Sequence, residues 1–174
     1  MRLVCAVLAA AVVLAATLGA LPARAVEAVN VPNTAAAIDL TAAVERQRTD
    51  ADQIVVLTAP GADGNVQRMN VRAREGNNNW AAFALANTGN DQIDRLIVIP
   101  HYRMVGSGLI WPDLGLSRVV TVASSSERPE RVESATADVF RITLDPGAVI
   151  TYVAELRTSK LTQIYLWEPD AYKD

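Results

Sequence analysis

The sequence is poor in the residues that most enzymes and metal proteins use. Its 174 residues include one cysteine, Cys5, one histidine, His101, and nine aromatic residues. A zinc site built from His and Cys needs more ligands than one chain of this composition supplies. A Ser-His-Asp hydrolase would need His101 as its base, and no Gly-x-Ser-x-Gly motif accompanies it. We therefore expect no enzyme, no catalytic residues, no metal and no cofactor.

Strong positive charge is also missing. Two of the 16 basic residues, Arg2 and Arg24, lie in the first 25 residues, which hold no acid, so the rest of the chain has 14 basic against 19 acidic residues and a net charge of −5. Nucleic-acid-binding proteins carry a basic stripe, and peripheral membrane proteins carry basic clusters for anionic lipid. The mildly acidic balance argues against both kinds of partner.

The first 25 residues have the sequence features of a secretory signal peptide. Arg2 precedes the apolar run at residues 3–21, and an Ala-x-Ala cleavage site ends at Ala25. The run is also about long enough to cross a bilayer as an uncleaved anchor, but Pro22 and the cleavage site favour removal. Cys5 lies too early in the run to be the lipidated cysteine of a lipoprotein. We expect a mature chain that begins at Val26 and works in the periplasm or another extracytoplasmic space.

The rest of the chain has the pattern of an all-β protein. Residues 26–52 predict an extended lead-in, within which residues 38–48 fit either a short helix or an edge strand, and residues 53–174 predict one domain. Short runs of β-branched or alternating residues are separated by Gly, Asn, Asp and Pro turns. These runs are residues 54–57, 67–74, 80–86, 95–100, 117–123, 138–144, 149–156 and 161–167. We predict an antiparallel β-sandwich of about eight strands, jelly-roll-like, preceded by the signal-peptide helix.

Two sets of polar residues have an ion-binding alternative. Arg68, Arg72 and Arg74 share one face of a predicted strand, and a solvated face is favoured over an anion site. Asp63-Gly64-Asn65 and Asp145-Pro146-Gly147 carry oxygen atoms that suit calcium, but both are first of all turn signals. Neither set is predicted to bind an ion.

The longest irregular connection, residues 101–116, holds the candidate ligand-binding residues. Ordered loops on a rigid sandwich commonly carry binding sites, and aromatic faces beside hydrogen-bonding groups suit sugars or small organic ligands. The candidates are His101, Tyr102, Arg103, Trp111 and Asp113. In the alternative interpretation, the two aromatic residues of this set cap the core and His101 and Arg103 are ordinary surface residues. Three other aromatic residues alternate along strands and are predicted to pack in the core: Trp80, Tyr152 and Trp167.

The second half of the chain resembles a known family. The motifs that carry the resemblance are Trp80-Ala-Ala-Phe-Ala-Leu-Ala-Asn87, Arg95-Leu-Ile-Val-Ile-Pro100, Phe140-Arg-Ile-Thr-Leu144, Pro146-Gly147 and Thr151-Tyr-Val-Ala-Glu-Leu-Arg157. They are similar to the extracytoplasmic ligand-sensing domain of bacterial seven-transmembrane receptors with diverse intracellular signalling modules. In that family, a signal peptide and a jelly-roll-like sandwich similar to carbohydrate-binding modules precede seven membrane helices. A cytoplasmic output module follows them, often a diguanylate cyclase, a cyclic-di-GMP phosphodiesterase or a histidine kinase.

The resemblance implies an extracytoplasmic sensor. Such a domain would bind a small molecule or a periplasmic partner, and the full-length receptor would control cyclic-di-GMP turnover through its membrane helices. The sequence holds no second hydrophobic span and no Gly-Gly-Asp-Glu-Phe or Glu-Ala-Leu output motif. We therefore expect a fragment of a receptor. The alternative is a free periplasmic or secreted β-sandwich that binds carbohydrate or acts in adhesion.

Overall fold

The computed structural model describes residues 24–74, 76, 78–104, 110–112, 117–121, 128–156 and 163–172. The described residues form fourteen strands, which confirms the all-β prediction. The strands are β1 (Ala28–Asn30), β2 (Ala37–Asp39), β3 (Glu45–Arg48), β4 (Gln53–Leu57), β5 (Arg68–Arg72), β6 (Asn79–Ala86), β7 (Ile93–Pro100), β8 (Tyr102–Met104), β9 (Ile110–Pro112), β10 (Ser117–Thr121), β11 (Glu130–Val132), β12 (Ala137–Leu144), β13 (Val149–Leu156) and β14 (Tyr165–Trp167). The predicted signal-peptide helix lies outside this part of the chain, in which no helix has the length and apolarity to cross a membrane.

Ten of these strands form two five-stranded sheets. The first sheet has the order β1-β6-β13-β10, with β3 also paired to β6, and the second has the order β11-β12-β7-β14-β2. The remaining four strands form the hairpins β4-β5 and β8-β9. All pairs in the described residues are antiparallel except β1 with β6, where Ala28 lies opposite Ala84 in a parallel register. The predicted antiparallel sandwich is confirmed for the sheets as a whole. Strand β1 can pair in parallel because no short turn joins it to β6, whereas a two-residue hairpin would make the pair antiparallel.

The segment predicted as a lead-in supplies strands to both sheets. Strands β1 and β3 belong to the first sheet and β2 to the second. Residues 38–48, which fitted either a helix or an edge strand, therefore contain parts of two strands and no helix. Together with β8 and β9 in the connection after residue 100, and with β11 before β12, these strands raise the number from the eight predicted to fourteen in the described residues. Strands of three or four residues are too short to show an alternating pattern.

The main hydrophobic core lies between the two sheets. Strands β6 and β13 of the first sheet face β7 and β12 of the second. The inward side chains include Phe83, Leu85, Ile97, Phe140, Leu144, Tyr152 and Leu166. Phe83 and Tyr152 stack with their ring centroids 5.5 Å apart, and Tyr152 is 1% exposed, which confirms its predicted core position. Burial of each such side chain contributes about 1.5–3 kcal/mol.

The β4-β5 hairpin covers the outer face of the first sheet and adds a third layer. Its apolar residues pack on Trp80, which is buried in this second core as predicted. The other buried members are Val26, Ile54, Val56, Ala59, Ala82, Ala84 and Val153. Val26 is 1% exposed, and its amide donates to the Leu57 carbonyl over 3.2 Å. The mature N-terminus predicted from sequence is therefore part of the packed structure.

Trp167 lies on the outer face of the second sheet and not in the main core. It is half-buried and packs against Tyr172, with ring centroids 6.1 Å apart, beside the buried Val98 and Val139. Trp167 thus packs against an apolar cluster, as predicted, but on the outer face, because successive side chains of β14 point to opposite faces and Leu166 takes the inward position.

A charged side chain of β7 points into the space between the sheets. Arg95 shares the inward face of β7 with Ile93 and Ile97 and is 3% exposed. Its guanidinium donates to the main-chain oxygens of Asp94, Pro32 and Asn33 over 2.8, 3.1 and 3.2 Å. These bonds tie β7 to the segment between β1 and β2.

Candidate ligand-binding site

The residues predicted as a ligand site follow the end of β7. His101 comes directly after this strand, Tyr102 and Arg103 lie in β8, and Trp111 lies in β9. The antiparallel register of the β8-β9 hairpin places Arg103 opposite Trp111. Asp113 lies outside the described residues. The backbone thus brings four of the five candidates to one end of the sandwich, and their role in binding stays a prediction.

His101 belongs to a charge cluster at this end. Its Nε2 lies 3.5 Å from Oδ1 of Asp138, which also accepts a 2.5 Å hydrogen bond from Arg131. Asp138 is fully buried, whereas the Arg131 side chain is 53% exposed and lies over the Phe140 ring. Because a buried carboxylate needs positive partners, this arrangement anchors β11 and the end of β7 to β12. The cluster therefore has a structural explanation.

The arginines at positions 68, 72 and 74 remain on a solvated face, as predicted. All three are exposed, and the Arg72 Nε lies 3.9 Å from an oxygen of Asp52, with both side chains more than 70% exposed. An exposed pair of this kind adds little to stability.

A polar cleft of about 560 Å³ lies at the other end of β7. One wall is the cleft loop, residues 58–67, which joins β4 to β5. The other wall is formed by the start of β7, the end of β12 and the turn that leads into β13. The lining residues are Thr58, Ala59, Gly61, Ala62, Asp63, Asn65, Gln67, Gln92, Asp94, Thr143, Asp145, Gly147, Ala148, Val149, Ile150 and Thr151. Asp94 and His101 are seven residues apart on an extended chain, so roughly 23 Å separates this cleft from the predicted site.

The turn between β12 and β13 is fixed on one side of the cleft. Gly147 has φ +72°, a conformation that side chains disfavour, and its amide donates to the Asn87 carbonyl over 2.9 Å. The Asn87 side chain is 2% exposed and donates to the Leu144 and Asp91 carbonyls over 2.9 and 2.8 Å. This wall therefore rests on buried hydrogen bonds that join the two sheets.

The cleft loop is held by its own hydrogen bonds. The Gly61 amide donates to the Asn65 carbonyl, and Gly64 adopts φ +74°. Asp63 accepts bonds from the Asn65 backbone amide (3.0 Å) and side-chain amide (2.6 Å). These bonds favour the charged carboxylate and hold the pKa of Asp63 below its usual range. The loop is thus an ordered wall at neutral pH.

One threonine hydroxyl links the loop to β13 beneath it, and a second joins the two ends of the loop. The Ala59 amide donates to the Thr151 hydroxyl over 3.0 Å, and the Gln67 amide donates to the Thr58 hydroxyl over 3.0 Å. Thr58 and Thr151 are 5% and 1% exposed. The loop is therefore anchored to β13 at a fixed position.

The ionisable side chains that line the cleft are all acidic. Asp94 accepts a 2.7 Å bond from the Thr143 hydroxyl, and Asp145 accepts one of 2.7 Å from the Gln92 amide. With Asp63 they make three carboxylates, and no Lys, Arg or His is among the lining residues. The described residues contain no group of three or more His, Cys, Asp or Glu placed to hold a metal ion. Hydrogen bonding to a polar organic molecule is the chemistry that this lining supports.

Sequence reasoning identified the two turns of the cleft but not the cleft. The sequence predicts turns with oxygen-bearing side chains at Asp63-Gly64-Asn65 and Asp145-Pro146-Gly147, and the structure places these turns in opposite walls. Thr58 and Thr151 carry no sequence signal, because isolated threonines are common in strands.

No known family model, curated protein or solved structure matches the chain. The resemblance to bacterial receptor ectodomains therefore stays a prediction.

Proposed function

We propose that this chain is an extracytoplasmic sensor domain that binds a small polar molecule in the polar cleft and belongs to a membrane signalling receptor. The observation that carries the binding proposal is the cleft itself, whose volume falls in the range of about 300–1,000 Å³ of small-molecule sites. Its walls are two fixed turns on packed sheets, so a ligand would find most of its hydrogen-bonding groups already in position.

The secretory leader in the sequence supports the extracytoplasmic location. The family resemblance supports the receptor, its membrane helices and an output that changes cyclic-di-GMP. A sensor needs a ligand with different affinities for two states of the receptor. The cleft loop is a candidate contact for such a difference, because it connects the ligand site to the β4-β5 hairpin on the first sheet.

The binding proposal is tested on the chain purified from a periplasmic fraction. Thermal unfolding is measured with a panel of sugars, polyamines, amino acids and organic acids, since a ligand of the folded state raises the melting temperature. Hits are compared between Asp94→Asn, in the cleft, and Asp50→Asn, an exposed aspartate outside it. We expect Asp94→Asn alone to reduce the shift. Equal shifts in both variants would place the ligand elsewhere.

The receptor proposal is tested in cells. Cyclic-di-GMP is measured with and without the identified ligand in strains that carry either substitution. We expect the ligand to change the cyclic-di-GMP level in the Asp50→Asn strain but not in the Asp94→Asn strain.

A free carbohydrate-binding domain is the second candidate, favoured by the polar side chains that line the cleft. Binding in the cleft with no change of cyclic-di-GMP in any strain would favour this candidate over the receptor.

A further inference from the structure

We infer that the ligand of the polar cleft is a polyhydroxylated compound without anionic groups, such as a sugar or a polyol. The inference rests on the proposed function, which assigns the cleft as the binding site. It follows from which hydrogen-bonding atoms of the lining already have partners and which do not. A hydroxyl group both donates and accepts a hydrogen bond, and the cleft lining has unpaired donors as well as unpaired acceptors.

The donors are the hydroxyl protons of Thr58 and Thr151. Each oxygen accepts one backbone amide, and neither proton has an acceptor among the described residues. Both side chains are at least nine-tenths buried and line the cleft. A buried donor without an acceptor is costly, so a molecule that enters the cleft gains by bringing oxygen lone pairs. An organic cation that carries only ammonium groups brings none.

The acceptors are carboxylate oxygens on the opposite wall. Oδ1 of Asp94 is engaged by Thr143 and Oδ1 of Asp145 by Gln92, while the second oxygen of each carboxylate has no partner in this part of the chain. These oxygens can accept from ligand hydroxyls, and charged acceptors form the stronger hydrogen bonds.

The negative charge of the lining disfavours anionic ligands. Three carboxylates face the cleft and no basic side chain balances them, so a phosphate or carboxylate group on the ligand would be repelled. Water and salt weaken this repulsion and the attraction of a simple cation to the same degree, because all three carboxylates are exposed. A ligand with ammonium groups alone is disfavoured for another reason, since it brings no lone pair for the Thr58 and Thr151 protons. The lining therefore selects for hydroxyl groups more than for positive charge.

The inference is tested by amide NMR on the exported chain with five probes: glucose, maltose, myo-inositol, putrescine and glucose 6-phosphate. We expect at least one of the three neutral compounds to give saturable shifts at the amides of residues 58–67 and 145–151, with an affinity in the millimolar range. Thr151→Val removes the hydroxyl, and a threefold to tenfold weaker affinity is expected from the loss of about one hydrogen bond. Thr151→Ser keeps the hydroxyl and is expected to keep the affinity.

The control for a lost threonine hydroxyl is Thr49→Val. The Thr49 hydroxyl also accepts a backbone amide, that of Ala51 over 3.1 Å, but lies outside the cleft. Asp94→Asn is the second cleft variant, because its exposed side chain can change with little risk to folding, and it is expected to weaken binding of the neutral probe.

Three outcomes overturn the inference. Cleft shifts with putrescine or glucose 6-phosphate, and with no neutral probe, refute the ligand class but leave the cleft as a small-molecule site. Neutral-probe shifts confined to the His101 end of the sandwich refute the site. If no probe gives a saturable shift up to about 50 mM, which is well above millimolar affinity, the ligand class is refuted. The thermal-unfolding panel then tests the proposed function separately.

Discussion

The Arg95 guanidinium donates a 3.1 Å hydrogen bond to the main-chain oxygen of Pro32, 63 positions away, from inside the space between the sheets. A buried charge is expensive unless hydrogen bonds replace its water. Arg95 obtains three of them from main-chain carbonyls, two of which belong to the segment that joins β1 to β2. The N-terminal strands are therefore held to the second sheet by a side chain as well as by their own pairing.

We predict that Arg95→Met lowers the free energy of unfolding by about 1–3 kcal/mol, because it leaves the Pro32 and Asn33 carbonyls without these donors. Urea unfolding measures the change, and hydrogen exchange of β1 amides is expected to accelerate. Arg141→Met, an exposed position on β12, is the control. Unchanged exchange in β1 would show that strand pairing alone holds the N-terminal segment.

Asn87 provides a second test of how the sheets are joined. Its amide donates to two carbonyls and its oxygen accepts the Gly89 amide, all at a buried position. We predict that Asn87→Ala costs about 2–4 kcal/mol, since the buried Leu144 carbonyl and the partly buried Asp91 carbonyl lose their donor. Gln92→Ala, an exposed amide nearby, is expected to cost much less. Similar losses in urea unfolding would contradict the assigned role.

The isosteric change Asn87→Asp is expected to make stability depend on pH. The introduced carboxyl would face two carbonyl oxygens, so burial and repulsion would raise its pKa in the folded state above the unfolded value of about 4. A raised folded pKa favours the fold below the unfolded pKa and penalises it as the pH rises. The stability deficit relative to wild type should therefore be larger at pH 8 than at pH 4. A constant deficit would argue against a buried charge.

We expect the stability of the fold to depend on the negative charge of the buried Asp138 carboxylate. We predict that Asp138→Asn lowers the free energy of unfolding by about 3 kcal/mol, because the ion pair with Arg131 is lost and the contact with His101 is weakened. Glu130→Gln removes an exposed charge from the strand that carries Arg131 and is expected to change little. Equal unfolding midpoints for the two variants would contradict this interpretation.

Tyr152 should make the protein sensitive to alkali. Burial raises the pKa of its hydroxyl far above the usual value of about 10. The unfolded tyrosine ionises first, so this contribution is complete below pH 10 and is lost as the pH rises further. Tyr152→Phe should therefore lose less stability than wild type between pH 9 and pH 12, by on the order of 2 kcal/mol. Parallel stability curves for the two proteins would contradict this sign.

The long strands were predictable because packing imposes a pattern on them. Strand β6 is apolar on both faces, and β13 has an unbroken apolar inward face, because the core and the β4-β5 hairpin cover these strands from two sides. Arg95 breaks the pattern of β7, and its inward position follows from the carbonyls that surround it rather than from any local preference. Strands β1 and β2 were not predictable, because the neighbouring strands and not their own three residues hold them in place.

The polar cleft was not predictable for a different reason. The bond between Ala59 and Thr151 spans 92 positions, and no local pattern indicates which loop meets which turn. The candidate site after β7 was chosen for its aromatic residues and irregular sequence. The cleft instead uses small polar residues in tight turns, which sequence reasoning assigns to turn formation alone.

If the leader is a signal peptide that is removed after Ala25, the burial of Val26 limits the time in which it can be cut. Arg24 is exposed and Ala25 half-buried, whereas the Val26 amide already bonds to Leu57 within the packed layer under the hairpin. A protease needs an extended stretch on both sides of the bond it cuts, and folded chain gives access only through local opening. If the leader is cut after Ala25, cleavage and folding compete for the same residues, and the faster a nascent chain completes its first sheet, the less time the peptidase has to act.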